Sequence, residues 1–150
     1  MPVQTEHRFP LDLSVLDAAG RRVTLAGLRG QARAVAVYFI RTGTCPVCIQ
    51  HARAPARLDL PAHGGQPVVV VPGPPAHAAR VRRILGDRVT VVSSDGAQAH
   101  LAAGLHRTLL LQHSGIMLID SAGVVRYRLA TALPAGSFDG PTLQAAIDRL

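Results

Sequence analysis

The stretch that most constrains this chain runs from Ala34 to Cys48. The apolar run Ala34-Val35-Ala36-Val37-Tyr38-Phe39-Ile40 leads directly into Arg41-Thr42-Gly43-Thr44-Cys45-Pro46-Val47-Cys48. A continuous apolar run of this length suits a central strand covered on both faces. The segment after Cys45 is compatible with a helix, so a strand here ends in a short turn that feeds a helix. That arrangement sets Cys45 at a helix N-terminus, where unpaired backbone N–H groups and the helix dipole favour a thiolate. An ordinary thiol has a pKa of about 8.5, and such positions bring it down to about 3.5–7.5. Pro46 fits the first helical position, where its missing N–H is not needed. Cys48 lies one turn on, on the same face, in reach of a disulfide with Cys45.

Cys45 and Cys48 are the only cysteines among 150 residues. Residues Met1–Pro10 contain Glu6, His7 and Arg8 and lack the apolar segment of a signal peptide. No apolar run approaches the length of about 18 residues that a membrane span needs. The expectation is a cytoplasmic protein with no membrane partner, in which a C-x-x-C pair is catalytic or metal-binding rather than a structural staple.

The length is right for one domain, 1–150, with a real core. The hydrophobic fraction is 48%, which argues against disorder, but there is no Trp and aromatics make up only 3%, so Val, Leu, Ile and Ala must build that core. The formal charge is +7 and every basic residue is Arg. The arginines are scattered, with Arg80, Arg82 and Arg83 as the largest cluster, and no aromatic residues interleave with them. This is not the footprint of a nucleic-acid-binding surface, and no nucleic-acid partner is expected.

Leu11–Leu16 alternates apolar and polar residues as a half-buried strand does, Asp17–Gly20 is a turn, and Arg21–Leu25 returns as the second strand of a hairpin. Ala26–Gly30 is a short turn or helical piece. After the central run a helix is predicted from about Pro46 to Leu60, kinked or shortened by Pro55. Pro61–Pro67 reads as a Gly/Pro loop, Val68–Val71 as a buried strand, and Ala76–Leu85 as a helix with Val81, Ile84 and Leu85 on its apolar side. Arg88–Val92 is a third short strand, Ala97–Gly104 a short helix, and Ile116–Asp120 with Val124–Leu129 a second hairpin. Pro141 opens a last helix striped by Leu143, Ala146, Ile147 and Leu150. This order describes an α/β sandwich with a mixed central sheet flanked by helices.

Taken together, these stretches resemble the thioredoxin-like superfamily, and within it the peroxiredoxin and redoxin branch (the alkyl hydroperoxide reductase/thiol-specific antioxidant group). The resemblance rests on the pattern Leu-x-x-x-Gly-x-x-Val-x-Leu-x-x-Leu-x-Gly at Leu16–Gly30 and on Val-Tyr-Phe at 37–39. It continues in Cys45-Pro46-Val47-Cys48 and in Leu-Ile-Asp-x-x-Gly-x-Val at Leu118–Val125. It implies a thioredoxin-like sandwich and a thiol-dependent oxidoreductase with no cofactor and no metal. In that family Cys45 would be the residue that attacks a peroxide, and Thr42 would orient it. The family proline that shields the pocket is replaced here by Tyr38. The family arginine that supports the thiolate is replaced by Ser114, which also stands where thioredoxin-type reductases have a cis-proline.

Reduction of a peroxide turns a thiolate into a sulfenic acid that a second thiol converts to a disulfide, and Cys48 is the candidate for that step. Thiol–disulfide exchange uses the same pair, with Cys45 attacking and Cys48 releasing the mixed disulfide. The electron donor would be a thiol such as thioredoxin or glutathione, and a homodimer is compatible with the resemblance. Arg41, four residues before Cys45, could fold over the turn and lower the thiol pKa; as a bland alternative it is a solvated arginine at a strand end. His51, one turn after Cys48, could face the cysteines as a base or simply be a partly exposed helix residue. A zinc site would need two further ligands, and among the seven histidines only His100 and His106 approach a paired spacing. Haem attachment is excluded at this motif because Ile49 stands where C-x-x-C-H requires His. Two inert cysteines, or a catalytically silent thioredoxin-like binding module, complete the alternatives.

Overall fold

The computed structural model describes residues 8–44, 46, 49–50, 52–53, 60–87, 89–94, 96–105, 107–108, 111–131 and 140–150. Cys45, Cys48, His51, Pro55 and His106 lie outside the described residues.

The apolar run forms strand β3, Ala34–Phe39, and every residue in it is buried. It sits inside a seven-stranded sheet with β1 (Ser14–Asp17), β2 (Arg22–Thr24), β4 (Gly65–Val71), β5 (Thr90–Ser93), β8 (Ser114–Asp120) and β9 (Val125–Thr131). The strand order is β2-β1-β5-β4-β3-β8-β9. Strands β3, β4 and β5 run parallel, while β8 pairs antiparallel with both β3 and β9, and β1 pairs antiparallel with β5. A separate two-stranded ribbon, β6 (Arg107–Thr108) with β7 (Leu111–Gln112), was not foreseen from the sequence.

Side chains of a strand alternate between faces, and β3 divides the core accordingly. Ala34, Ala36, Tyr38 and Ile40 join Val69, Val71, Ile116 and Leu118 on one face. Helices α2 (Pro75–Leu85) and α4 (Gly140–Asp148) cover that side through Ala78, Val81, Leu143 and Ile147. Residues 46, 49–50 and 52–53 are helical, and Ala52 packs in the same cluster. Val35, Val37 and Phe39 join Val68, Val70, Met117 and Ile119 on the other face. There the chain is covered by Phe9, by Leu25 of α1 (Leu25–Arg29) and by Ala99 of α3 (Gln98–Ala102). The continuous apolar run is thus two interleaved half-faces, as a doubly covered strand requires.

Local signals behave as their chemistry dictates. The Thr24 hydroxyl accepts the Gly27 N–H at 3.1 Å and caps α1. Helix α2 starts on a proline and stops at Gly86. Four expectations need correction. The first strand begins at Ser14 rather than Leu11, and the third short strand covers Thr90–Ser93 rather than Arg88–Val92. Ile84 is exposed, because Ala78, Val81 and Leu85 make the inward stripe of α2. Pro61–Pro67 is not a loop throughout: Leu60–His63 is a 3-10 turn, and β4 begins at Gly65. The Ala34 and Ile40 N–H groups donate to Gly64 and Val70, so even-numbered residues of β4 turn their backbone polar groups to β3. Pro67 therefore faces β5, whose pairing with β4 begins only at Thr90, opposite Val68. Its missing N–H takes no bond from the ladder.

Candidate functional site

Ligand sites in open α/β sheets lie outside the carboxyl ends of the parallel strands, where the loops diverge. Here those ends are Phe39, Val71 and Ser93, and the turn Arg41–Thr44 leaves the first of them. Thr42 Oγ1 accepts the Thr44 N–H at 3.0 Å and lies 2.9 Å from Thr44 Oγ1. This threonine turn fixes the backbone immediately before Cys45. Gly43 is buried, and a Cβ there would lie 3.4 Å from Val71 Cγ1 and 3.5 Å from His77 Cβ, so the turn rests on the end of β4 and the first turn of α2.

The two neighbouring loops are stitched together at the same end. Gly73 and Gly96 form an isolated bridge, with the Gly73 N–H donating to the Gly96 carbonyl at 2.8 Å. The Ser93 hydroxyl donates to the Gly73 carbonyl and the Ser94 hydroxyl to that of Gly96. Gly73 has φ 97°, and a Cβ would come 2.7 Å from His77 Nδ1, so both backbone and space demand glycine. Between these loops and the threonine turn opens a cavity of about 450 Å³, with Arg41, Thr42, Thr44, His77 and Gln112 on its wall. Gln112 is buried and donates from Nε2 to the Leu105 carbonyl at 2.9 Å.

Beneath the turn, His100 of α3 is fully buried. Its Nε2 lies 2.8 Å from the Ile40 carbonyl, the last residue before the turn. Its ring meets Phe39 edge-on at 5.3 Å. Burial pushes its pKa down to about 4, against the pull of the Ile40 carbonyl, so the ring is neutral near pH 7. With Nε2–H donating to Ile40, Nδ1 is an acceptor and has no partner among the described residues. Ser114, which stands where the resembled families have Arg or cis-proline, is buried, and its hydroxyl also lacks a partner among the described residues. Strand alternation directs it to the face of Ile116 and Leu118, the side on which Ala52 packs.

Of the residues singled out from the sequence, Arg41 and Thr42 come together on one cavity wall, Arg41 half-buried. Cys45 and Cys48 lie outside the described residues, as does His51. His77 and Gln112 were not foreseen as site residues, and His100 had been considered only as a zinc ligand paired with His106. His77 had a signal: Pro72-Gly73-Pro74-Pro75 ends a strand and opens a helix, so the helix's first turn borders the loops at the strand ends. His100 and Gln112 had none of that kind. Among the described residues no three potential metal ligands cluster, and no helix is long and apolar enough to cross a membrane.

No family model matches the sequence, and no curated protein matches it. Solved structures do. Peroxidoxin BcpB from Mycobacterium tuberculosis superposes with a TM-score of 0.81 at 15% identity, over 97% of this chain and 97% of that one. The bacterioferritin comigratory protein of Xanthomonas campestris, which has alkyl peroxide reduction activity, gives 0.72 at 17% identity over 94% and 95%. A secreted disulfide oxidoreductase of Mycobacterium tuberculosis gives 0.64 at 12% identity over 93% and 97%. These likenesses establish the fold as a thioredoxin-like sandwich of the kind found in peroxiredoxins.

Proposed function

We propose that the chain is a thiol-dependent oxidoreductase in which Cys45 and Cys48 cycle between dithiol and disulfide, with a peroxide as the favoured oxidant. The observation that carries this reading is the cavity at the carboxyl ends of β3, β4 and β5, walled by Arg41, Thr42 and Thr44 immediately before Cys45 in the chain. In the proposed reaction the Cys45 thiolate attacks one oxygen of the peroxide. The S–O bond forms as the O–O bond breaks, and the departing oxygen takes a proton to leave as alcohol or water. The Cys48 thiol then displaces the sulfenic hydroxyl as water, giving the disulfide. An external thiol donor, of the thioredoxin or glutathione class, returns two electrons by exchange.

Charge develops on the departing oxygen, so donors aimed at it accelerate the step. A threonine hydroxyl has one proton and two acceptor lone pairs. If Thr42 accepts both the N–H and the O–H of Thr44, its own proton remains for the peroxide; Arg41 adds a positive charge. The same contact supports a second reading. If Thr42 instead donates to Thr44, it only shapes the turn, and exchange with protein disulfides becomes the better assignment.

Stopped-flow measurement of the prereduced protein with hydrogen peroxide and with a small disulfide separates the two. Thr42→Val is expected to lower the peroxide rate constant by roughly ten- to a hundred-fold, as loss of one such donor does, and the disulfide rate far less. Thr42→Ser should restore the peroxide rate. Equal losses on both oxidants move the assignment to disulfide exchange. Consumption of neither by the wild type, with thioredoxin, glutathione or dithiothreitol supplied, leaves a binding module.

A further inference from the structure

The ladder between β3 and β4 lacks a donor at its last rung. In a parallel pair, a residue that donates to one position of its neighbour accepts from the position two further on. The Ala34 N–H donates to Gly64 and the Ile40 N–H to Val70, so the Ile40 carbonyl is due a bond from the N–H of residue 72. Residue 72 is a proline and has none. Ile40 is fully buried and immediately precedes Arg41, so the orphaned carbonyl lies at the exit of the strand, away from water. A buried carbonyl left there without a partner would be destabilising.

His100 supplies the missing donor. Its Nε2 lies 2.8 Å from the Ile40 carbonyl oxygen, 60 residues away in the chain. The ring is fully buried, meets Phe39 edge-on at 5.3 Å, and leaves Nδ1 without a partner among the described residues. An apolar side chain would suit that setting better, so the bond to Ile40 is what the imidazole adds. Helix α3, which carries His100, follows directly on Gly96 and Ala97, and these line the same cavity as Arg41–Thr44. One hydrogen bond therefore joins two segments of the cavity wall, the turn after β3 and the loop before α3.

We propose that His100 is a positioning residue of the redox site: by closing the rung that Pro72 leaves open, it fixes the turn Arg41–Thr44, and with it the Thr42 hydroxyl, against the loop at Gly96 and Ala97. It acts through the backbone and transfers no proton itself. Its effect on peroxide reduction rests on the redox reading above, whereas its hold on the turn does not.

Nitrogen NMR of the wild type tests the bond without any variant. His100 should be the Nε2–H tautomer with a slowly exchanging ring proton, and the Nδ1–H tautomer would overturn the proposal. His100→Leu removes the donor, while His100→Gln keeps an amide N–H for Ile40. In His100→Leu, hydrogen exchange at the Thr44 amide, which Thr42 Oγ1 holds, should speed by about tenfold or more, the scale of one net hydrogen bond, and His100→Gln should restore it. The rate constant of the prereduced protein with hydrogen peroxide should likewise fall about tenfold in His100→Leu and recover in His100→Gln, with the small-disulfide rate changing far less. Unaltered Thr44 exchange in His100→Leu, equal losses in the two variants, or equal losses on the two oxidants would each overturn the positioning role. If the wild type consumes no peroxide, the redox reading fails on its own, and the Thr44 exchange still decides whether His100 holds the turn.

Discussion

His100 gives the most quantitative consequence of this fold. The unfolded imidazole takes a proton below its ordinary pKa of 6.5, whereas the buried ring resists until about pH 4. Between those values the unfolded state binds more protons than the folded state, so stability must fall as pH falls through that window. A displacement from 6.5 to about 4, at about 1.4 kcal/mol per pKa unit, amounts to about 3 kcal/mol lost between neutral pH and pH 4. Below about pH 4 this group adds nothing further. The carboxylates act lower. Hydrogen bonds led by the Arg21 N–H hold Asp17 below its usual 3.8. For Asp120, burial pushes upward, but bonds from Val124, Arg126 and Ala122 prevail and hold it below 3.8 as well. Their contributions are present above 3.8 and vanish only beneath it. The matched variant is His100→Gln, whose amide can still donate to the Ile40 carbonyl but does not titrate. Urea unfolding followed by far-UV circular dichroism suits a chain with no Trp. Between about pH 7 and pH 4 the wild type should lose about 3 kcal/mol more than His100→Gln, whatever the variant's starting stability. Parallel curves would refute the argument and mean that the ring is solvated or finds a second partner when charged.

Three further outcomes are expected. A Cβ on Gly115 would run into the Leu129 carbonyl oxygen and lie 3.0 Å from Ala130 Cα, so Gly115→Ala should force β8 from β9 beside Phe39 and lower stability by about 1–3 kcal/mol in the same urea assay. Asp120→Ala removes the acceptor of two N–H groups and of Arg126, and thermal melting should show a loss of about 2 kcal/mol or more. If the proposed cycle holds, Cys48→Ser should give a single turnover with peroxide and stall as a sulfenic acid trappable by dimedone and visible by mass spectrometry, whereas Cys45→Ser should give none.

What the sequence determined by itself is what short-range chemistry can dictate. The run Ala34–Ile40 had to be a doubly covered strand. Asp17–Gly20 had to turn, Pro75 and Gly86 had to bound a helix, and the stripe Leu143, Ala146, Ile147 had to face inward. Arg41-Thr42-Gly43-Thr44-Cys45 was legible as the exit from that strand, because turn residues and a cysteine spacing are local facts. Tertiary structure decided the rest, since those features depend on which distant segment arrives alongside. Gly65–Pro67 became strand rather than loop because Ala34–Ala36 offered a parallel partner on one side and β5 had not yet begun on the other. Ile84 lost its place in the core because the sheet meets α2 along Ala78 and Val81. His100 became a buried neutral donor only because α3 sits under the end of β3, and Gln112 reached the cavity through a ribbon with no strong sequence pattern. Pro72 was legible as the stop of a strand. That its missing N–H is answered by a ring 60 residues away follows only from the packing of α3, and no local pattern encodes that meeting.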